Sequence, residues 1–208
     1  MSTSQDILRR YTDLPSAINI IRHEAITLLP PTTWDDRNDR HMMEAYKRSA
    51  KLKAVLALCF AECAETYHHW KVFTSGASGV CIEFHRSKLI DALPQSVTYS
   101  SMDYKTIKEL KPDEIKVKDL PFVKRVGFID EQEFRVVFTS KMEELSTKDI
   151  PIPLSAIKRI VLNPWLHEEL AESVTEMFFK LAEKEGLEVT QSALIDSPSW
   201  RRFADGYA

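Results

Sequence analysis

Glycine is unusually scarce in this chain. Five of the 208 residues are glycine, against ten prolines, whereas about 7% of a typical chain is glycine. Neither G-x-G-x-x-G nor G-x-x-x-x-G-K-[ST] can be drawn from the five positions, which are Gly76, Gly79, Gly127, Gly186 and Gly206. The standard dinucleotide-binding turn and the P-loop are therefore excluded, because both need glycine where the backbone approaches a phosphate.

Net charge and cysteine content restrict the class of protein further. The 28 Lys and Arg against 31 Asp and Glu give a net charge of -3, which does not indicate a broad nucleic-acid-binding surface. Cys59, Cys63 and Cys81 are too few for a disulfide scaffold. We interpret them as buried free thiols and expect no resident metal. No apolar leader or run of 18 apolar residues occurs, so we expect a cytoplasmic protein without a membrane partner.

Strand and helix patterns alternate along the chain. They predict one α+β domain over residues 1–208, with a mixed or split β-sheet flanked by helices. The predicted strands cover residues 6–12, 26–29, 55–60, 80–84, 96–100, 131–139, 157–162 and 189–194. The predicted helices begin at residues 14, 41, 87 and 164, with a short helix before residue 73.

Two helix starts carry cap signals. Asp13 precedes a helix that begins at Leu14, and Asn163 with Pro164 predicts the start of a long helix that ends at Gly186. Residues 103–121 are dense in charges of both signs. We interpret this stretch as a solvated helix and loop rather than as a binding surface.

The segment E-Q-E-F-R-V-V-F, residues 131–138, carries the best candidate chemistry. Strand side chains alternate, so Glu131, Glu133 and Arg135 are predicted to share one face. Arg135 would hold Glu133 ionised and oriented. A fixed carboxylate of this kind could stabilise a developing cation or bind a sugar hydroxyl. An exposed strand with cross-strand salt bridges explains the same pattern.

An aromatic segment precedes the small-residue loop at residues 75–79. Trp70 and Phe73 could stack on a flat ligand ring, or they could anchor the core or a loop. His68 and His69 could transfer protons, but no serine or aspartate partner can be identified for a hydrolytic triad.

Two arginines lie on the first predicted strand. Arg9 and Arg10 could form bidentate hydrogen bonds with a phosphate. Pairing with a carboxylate such as Asp13 or Asp35 is the alternative interpretation.

The order of these segments resembles a bacterial family known as a domain of unknown function, number twenty-nine seventy-one. Departures from the family pattern are Arg9 for an aromatic residue, Ala61 for serine, Phe73 for tyrosine, Phe128 for tryptophan and Asn163 for glycine. The matching segments are L-R-R-Y-T (8–12), W-D-D (34–36), C-F-A (59–61), W-K-V-F (70–73), S-G-V-C-I-E-F (78–84), V-T-Y (97–99), F-I-D-E-Q-E-F-R (128–135) and I-K-R-I-V-L-N-P (157–164).

Residues 7–21 and the later E-x-E also resemble ADP-ribosyltransferases of the nucleic-acid-modifying kind. That resemblance implies an ADP-ribosyltransferase-like fold that holds NAD, as substrate, in a split sheet without G-x-G-x-x-G. Arg10 would contact the phosphates or ribose of NAD, with Tyr11 beside it. Trp70 or Phe73 would stack near the nicotinamide.

The same resemblance implies the catalytic roles. Glu133 would bind the nicotinamide ribose and stabilise an oxocarbenium-like transition state. Glu131 would orient or deprotonate the acceptor. Arg135 would complete the cofactor-binding set by supporting Glu133.

Three functions remain open at this stage. The first is an NAD-dependent ADP-ribosyltransferase, of the toxin or phage-defence kind, that modifies nucleic acid or protein and has an antitoxin or other partner protein. The second is a non-catalytic nucleotide-binding or sensor module, which the missing hydroxyls at Phe73 and Ala61 motivate. The third is a metal-dependent hydrolase that uses Glu131, Glu133 and His68 or His69.

Overall fold

A computed structural model of the chain describes residues 6–111, 113–182 and 186–207. The chain divides into two compact units, each of which is described by itself. The first comprises Met1–Ala25, Cys63–Asp91 and Ile152–Ala208, and the second comprises Ile26–Glu62 and Ala92–Pro151. One domain over residues 1–208 stays a prediction.

Eleven strands and six helices lie in the described part of the chain. The strands are β1 (Ile7–Asp13), β2 (Ala25–Leu28), β3 (Ala54–Ala61), β4 (Gly79–His85), β5 (Val97–Ser101), β6 (Asp103–Lys105), β7 (Val123–Arg125), β8 (Glu133–Ser140), β9 (Lys148–Pro151), β10 (Ile157–Leu162) and β11 (Glu188–Gln191). The helices are α1 (Leu14–His23), α2 (Arg37–Ser49), α3 (Tyr67–Phe73), α4 (Arg86–Ala92), α5 (Glu168–Leu181) and α6 (Pro198–Asp205).

The first unit contains a mixed sheet in the order β11-β10-β4-β1. β4 pairs antiparallel with β1 and with β10, whereas β10 and β11 are parallel. Leu8, Ile82, Phe84 and Ile160 on these strands are fully buried, because both faces of the central strands are covered. The predicted α+β class with a mixed sheet is confirmed.

Helix α1 begins where the sequence predicts it. The Asp13 side chain accepts a hydrogen bond of 2.7 Å from the Ser16 backbone N–H. Pro15 is tolerated in the first turn, since N–H groups there lack intrahelical partners. The helix ends at His23, and Glu24 follows with a left-handed φ of 46°.

The second unit contains the antiparallel strands β3-β8-β5 and the pairs β2-β9 and β6-β7. Met43 of α2 packs with Val55, Ala57 and Val137 of β3 and β8 in its core. The strand β8 therefore lies between β3 and β5, with its backbone hydrogen-bonded on both sides. This position fixes the start of β8, where the candidate carboxylates lie.

Two predicted helix starts are wrong. Helix α2 begins at Arg37, ahead of the predicted residue 41, because Asp36 caps it by accepting from the Asn38 backbone N–H at 2.9 Å. Asn163 instead closes a turn, accepting from the Trp165 backbone N–H at 2.9 Å. Helix α5 then begins only at Glu168.

The end of α5 and the charged stretch also differ from the predictions. Helix α5 ends at Leu181, and residues 183–185, just before the predicted stop at Gly186, lie outside the described residues. Over residues 103–111 and 113–122 the chain forms the short strand β6 and 3₁₀ turns, where a solvated helix and loop were predicted. Within the described residues, no helix is long and apolar enough to cross a membrane.

Candidate functional site

The start of β8 departs from the predicted strand of residues 131–139. Residues Val126–Glu131 form a 3₁₀ segment, and Gln132 adopts a left-handed φ of 41° before the strand begins at Glu133. The Gln132 backbone N–H closes this turn on the Ile129 carbonyl at 3.1 Å. Glu131 therefore does not share a strand face with Glu133, because the left-handed residue interrupts the alternation.

Glu133 is a buried carboxylate held between two cations. It is only 4% exposed. Arg135 donates from Nε to Oε1 at 2.7 Å and from Nη2 to Oε2 at 3.1 Å, and Lys124 Nζ donates to Oε2 at 2.8 Å. Burial alone would raise the pKa of Glu133, but Arg135 and Lys124 outweigh it and lower the pKa to about 2. These hydrogen bonds confirm the predicted pairing of Arg135 with Glu133.

Arg135 is fully buried, and all five of its N–H donors have partners. Besides Glu133, it binds both carboxylate oxygens of Asp39 at 3.0 and 2.6 Å and the Pro121 carbonyl at 2.8 Å. Its guanidinium carbon lies 4.5 Å from the centre of the Trp34 ring. Because every donor is engaged, the guanidinium is locked in place and fixes the orientation of Glu133.

Lys124 joins Glu133 to Glu131. Its Nζ atom donates a short hydrogen bond to Glu131 Oε2 and lies 3.8 Å from Asp39 Oδ2. Burial raises the pKa of Glu131, and the nearby Lys124 only partly opposes it. The two glutamates thus share one ammonium while their pKa values shift in opposite directions.

The backbone of Glu133 is fixed as well. Its N–H donates to the Tyr104 hydroxyl at 2.8 Å, and its carbonyl accepts from the Met102 N–H at 2.9 Å. Burial raises the pKa of Tyr104 to about 12, so this hydroxyl stays protonated. The carboxylate is therefore held at both its side chain and its main chain.

Sequence reasoning missed three residues of this cluster, namely Asp39, Tyr104 and Lys124. Asp39 is 96 residues from its partner Arg135, and Lys124 lies on β7, a strand that the sequence pattern did not predict. None of these residues lies at a sequence spacing from E-x-E that would predict the contact. The one available signal was that a buried Arg135 with five N–H donors would need more acceptors than Glu133 alone provides, and hence a second carboxylate.

A small pocket, open to solvent, adjoins the cluster. Asp39 and Lys124 line it together with Lys105, Leu110 and Arg125. Lys124, which contacts both glutamates, therefore lies at the wall of this pocket.

The aromatic candidates gather in the first unit. The Tyr11 ring lies 5.2 Å from the rings of both His69 and Trp70, and Phe73 lies 5.5 Å from His69. Trp70 is 1% exposed and its indole N–H donates to Glu65 Oε1 at 2.6 Å, whereas Phe73 is 39% exposed. Tyr11, Trp70 and Phe73 thus form one cluster around His69, and Phe73 is its accessible ring.

The two N-terminal arginines have different surroundings. Arg10 is half-buried on β1, opposite Ile82 of β4. Arg9 donates from Nε to the buried Glu83 at 2.9 Å, and Arg159 binds the other oxygen of Glu83 at 2.8 Å. The interpretation that Arg9 pairs with a carboxylate is confirmed, but its partner is Glu83 rather than Asp13 or Asp35. The pairing of Arg10 stays a prediction.

The seven candidate residues divide between the two units. Glu131, Glu133 and Arg135 come together in the second unit. The other four, Arg10, Tyr11, Trp70 and Phe73, belong to the first unit. Their roles toward NAD stay predictions.

Potential metal ligands do not cluster in the described residues. Over residues 6–111, 113–182 and 186–207, no cluster of three or more His, Cys, Asp or Glu could hold a metal ion. Cys59, Cys63 and Cys81 form no disulfide in the described residues, and only Cys81 is fully buried. The expectation of buried thiols is therefore wrong for Cys59 and Cys63.

Comparison with known proteins gives a distant structural likeness. No family model matches the chain, so the resemblance to family twenty-nine seventy-one is not confirmed, and no curated protein matches it. Structures of Thermus sp. 2.9 DarT with ADP-ribosylated ssDNA, NAD+ and carba-NAD+ are similar over 92% of this chain and 96%, 98% and 97% of theirs. Their identities are 10%, 10% and 11%, each with a TM-score of 0.48. A likeness of that degree assigns no reaction to this chain.

Proposed function

We propose that the chain is an NAD-dependent ADP-ribosyltransferase in which Glu133 stabilises the positive charge of the nicotinamide ribose. The carrying observation is that the buried Glu133 carboxylate is bound by both Arg135 and Lys124, which favour its charged form and lower its pKa to about 2. Breaking the bond between ribose and nicotinamide develops cationic charge on the sugar. A carboxylate that is already fixed and desolvated stabilises such charge without reorganising during the reaction.

Glu131 is the proposed base for the acceptor. Its raised pKa, beside the lowered pKa of Glu133, is the divergence expected when one acid stays charged and the other exchanges a proton. A base with a raised pKa binds the acceptor's proton more strongly than an ordinary glutamate does. Glu131 is also the more accessible of the two side chains, at 13% against 5% exposure.

Substrate binding requires Lys124 to move. Glu133 is only 4% exposed and its two oxygens accept from Arg135 and Lys124, so a ribose hydroxyl can reach the carboxylate only if one of these cations moves. Arg135 is committed to Asp39 and Pro121 as well, whereas Lys124 lines an open pocket. We therefore assign the displacement to Lys124, which can then remain bound to Glu131.

The NAD contacts follow the sequence resemblance. Arg10 and Tyr11 are proposed to contact the phosphates and ribose, and Phe73 or Trp70 to stack near the nicotinamide. The greater exposure of Phe73 favours it for direct stacking. Trp70 would then act through the packing of Tyr11.

The acceptor is proposed to be nucleic acid or protein, in a cytoplasmic bacterial toxin or phage-defence effector with an antitoxin or other partner protein. One DarT complex contains ADP-ribosylated ssDNA, so single-stranded DNA should be included among the acceptors assayed.

The test is transfer of label from adenylate-labelled NAD to single-stranded DNA, RNA and cell-lysate protein. We expect label on one acceptor class and equimolar free nicotinamide with wild type and with Glu143→Gln, a change at an exposed glutamate. We expect neither product with Glu133→Gln. Absence of both products from the wild type, with every acceptor, would contradict the proposal.

A non-catalytic nucleotide-binding module is the second candidate. It is favoured by the complete enclosure of Glu133, whose 4% exposure suits a structural ion pair. This alternative predicts that NAD raises the melting temperature while no nicotinamide is released. Nicotinamide release during the same titration would exclude it.

A further inference from the structure

A cysteine, a histidine and a threonine lie in series where α3 begins. His69 Nε2 is 3.5 Å from Cys63 Sγ, and His69 Nδ1 is 2.7 Å from Thr66 Oγ1. The imidazole is fully buried, whereas Cys63 is partly exposed. A nucleophilic residue is thus partly exposed while its candidate base is buried and held by a third group, the arrangement that activates nucleophiles in enzymes.

The hydrogen bonds allow His69 to carry both ring protons. Thr66 caps α3, and its Oγ1 accepts from the His69 backbone N–H at 3.2 Å. A hydroxyl oxygen has a second lone pair, which can accept from Nδ1–H. The Nε2–H then points to Cys63 Sγ. A thiolate paired with an imidazolium is therefore fully hydrogen-bonded in this geometry.

A positive charge lies against the backbone of Cys63. Arg9 Nη1 donates to the Cys63 carbonyl at 2.6 Å. The same guanidinium binds Glu83 through Nε, so Glu83 neutralises part of its charge. The remaining positive potential favours the thiolate over the thiol.

The other titratable neighbours are two protonated groups, a hydrogen-bonded carboxylate and a histidine. Burial raises the pKa values of Tyr11 and Cys81 above their usual ranges, so both stay protonated. Glu65 accepts from the indole of Trp70. The His68 ring lies 5.9 Å from that of His69.

We propose that Cys63 is a nucleophilic thiol, with His69 as its base and Thr66 as the positioning residue, and that it is a modification site for soft electrophiles. Sγ transfers its proton to Nε2 and attacks the electrophilic carbon. The new S–C bond forms as the leaving group departs with the bonding electron pair, and His69 then returns its proton to water. The site adjoins the aromatic cluster that is proposed to contact NAD, because His69 lies against Tyr11 and Phe73. Alkylation of Cys63 itself requires no NAD.

The probe is iodoacetamide on the folded full chain, with adducts at each cysteine quantified by peptide mass spectrometry from pH 5.5 to 9. Cys59, also partly exposed but beside the Glu133 anion, is the internal control. We expect Cys63 to react about fivefold faster than Cys59 at pH 6.5. The midpoint of its rate should lie at least about one pH unit below the ~8.5 of an ordinary thiol.

Two matched variants test the assigned roles. Thr66→Val should move the Cys63 midpoint up toward that of an ordinary thiol, whereas Thr66→Ser, which keeps the hydroxyl, should retain the wild-type profile. His69→Gln should slow alkylation at pH 6.5, with folding checked by circular dichroism. A wild-type midpoint near ~8.5, or equal rates at Cys63 and Cys59, would overturn the proposal even if a variant failed to fold. An unchanged midpoint in folded Thr66→Val would overturn the role of Thr66.

Discussion

The Nε atom of Arg135 donates a 2.7 Å hydrogen bond to Oε1 of Glu133, two residues earlier on the same strand. Both side chains are buried, so neither charge can be compensated by water. Nη2 also donates to Oε2 of Glu133, and the other three N–H donors of Arg135 bind Asp39 and Pro121. This guanidinium therefore stabilises the fold of the second unit and also fixes the proposed catalytic carboxylate.

Replacing Arg135 by methionine should destabilise the protein strongly. The carboxylates of Glu133 and Asp39 would stay buried without the guanidinium, at a cost of about 3–5 kcal/mol in free energy of unfolding. Urea denaturation measures the loss. Arg48→Met is the control, because Arg48 is exposed and only 3.9 Å from Glu44, and it should change stability by at most about 1 kcal/mol. Equal effects of the two changes would refute the assigned role of Arg135.

Acid should remove the stabilisation that Glu133 provides. Its folded pKa is depressed to about 2, so its contribution is present above the unfolded value of about 4.3. That contribution is lost as pH falls toward 2. The difference in unfolding free energy between wild type and Glu133→Gln should shrink by about 3 kcal/mol between pH 6 and pH 2. Urea titrations at several pH values measure this, and a difference independent of pH would contradict the assigned ion pair.

Transfer activity should have an acid limb set by Glu131. Burial raises its pKa above that of an ordinary glutamate, so the rate should fall as Glu131 becomes protonated at a pH above about 4.3. Glu131→Gln should lower the rate about a hundredfold and abolish the limb. The adjacent exposed Asp130 provides the control Asp130→Asn. The same acid limb in Glu131→Gln would exclude Glu131 as the base.

Gly79 should not tolerate a side chain. A Cβ there would lie 2.7 Å from Thr74 Cγ2 and against Thr74 Cβ, and a β-branched side chain cannot rotate away freely. Gly79→Ala should therefore cost about 1–3 kcal/mol, read from thermal denaturation. Gly127→Ala, where a Cβ meets nothing within 4 Å, should be nearly neutral. A tolerant Gly79 would show that this close approach does not constrain the chain.

Several parts of the fold could be predicted because their signals are local. Asp13 before Leu14-Pro15 places both the cap and the helix. The i, i+2 spacing of Glu133 and Arg135 places their side chains on one face of a strand, which the ion pair confirms. Alternation and capping depend only on neighbouring residues, so they can be predicted from the sequence.

The remaining features depend on distant contacts or on one backbone torsion. Lys124 contacts Glu133 and Asp39 contacts Arg135 from separate secondary-structure elements. No spacing in the sequence therefore predicts these contacts. Gln132 adopts a left-handed conformation that is uncommon for a residue with a side chain, and this moved Glu131 off the strand. Asn163 has a side chain that suits a helix cap and a turn equally well, and it closes a turn.

Nicotinamide release by purified wild type and Glu133→Gln, at saturating NAD and matched protein concentration, tests the central claim most directly. If Glu133 stabilises the ribose cation, wild type should release nicotinamide and the variant should do so at least about a hundredfold more slowly. NAD should still raise the melting temperature of the folded variant. Release at the wild-type rate by folded Glu133→Gln would contradict the account.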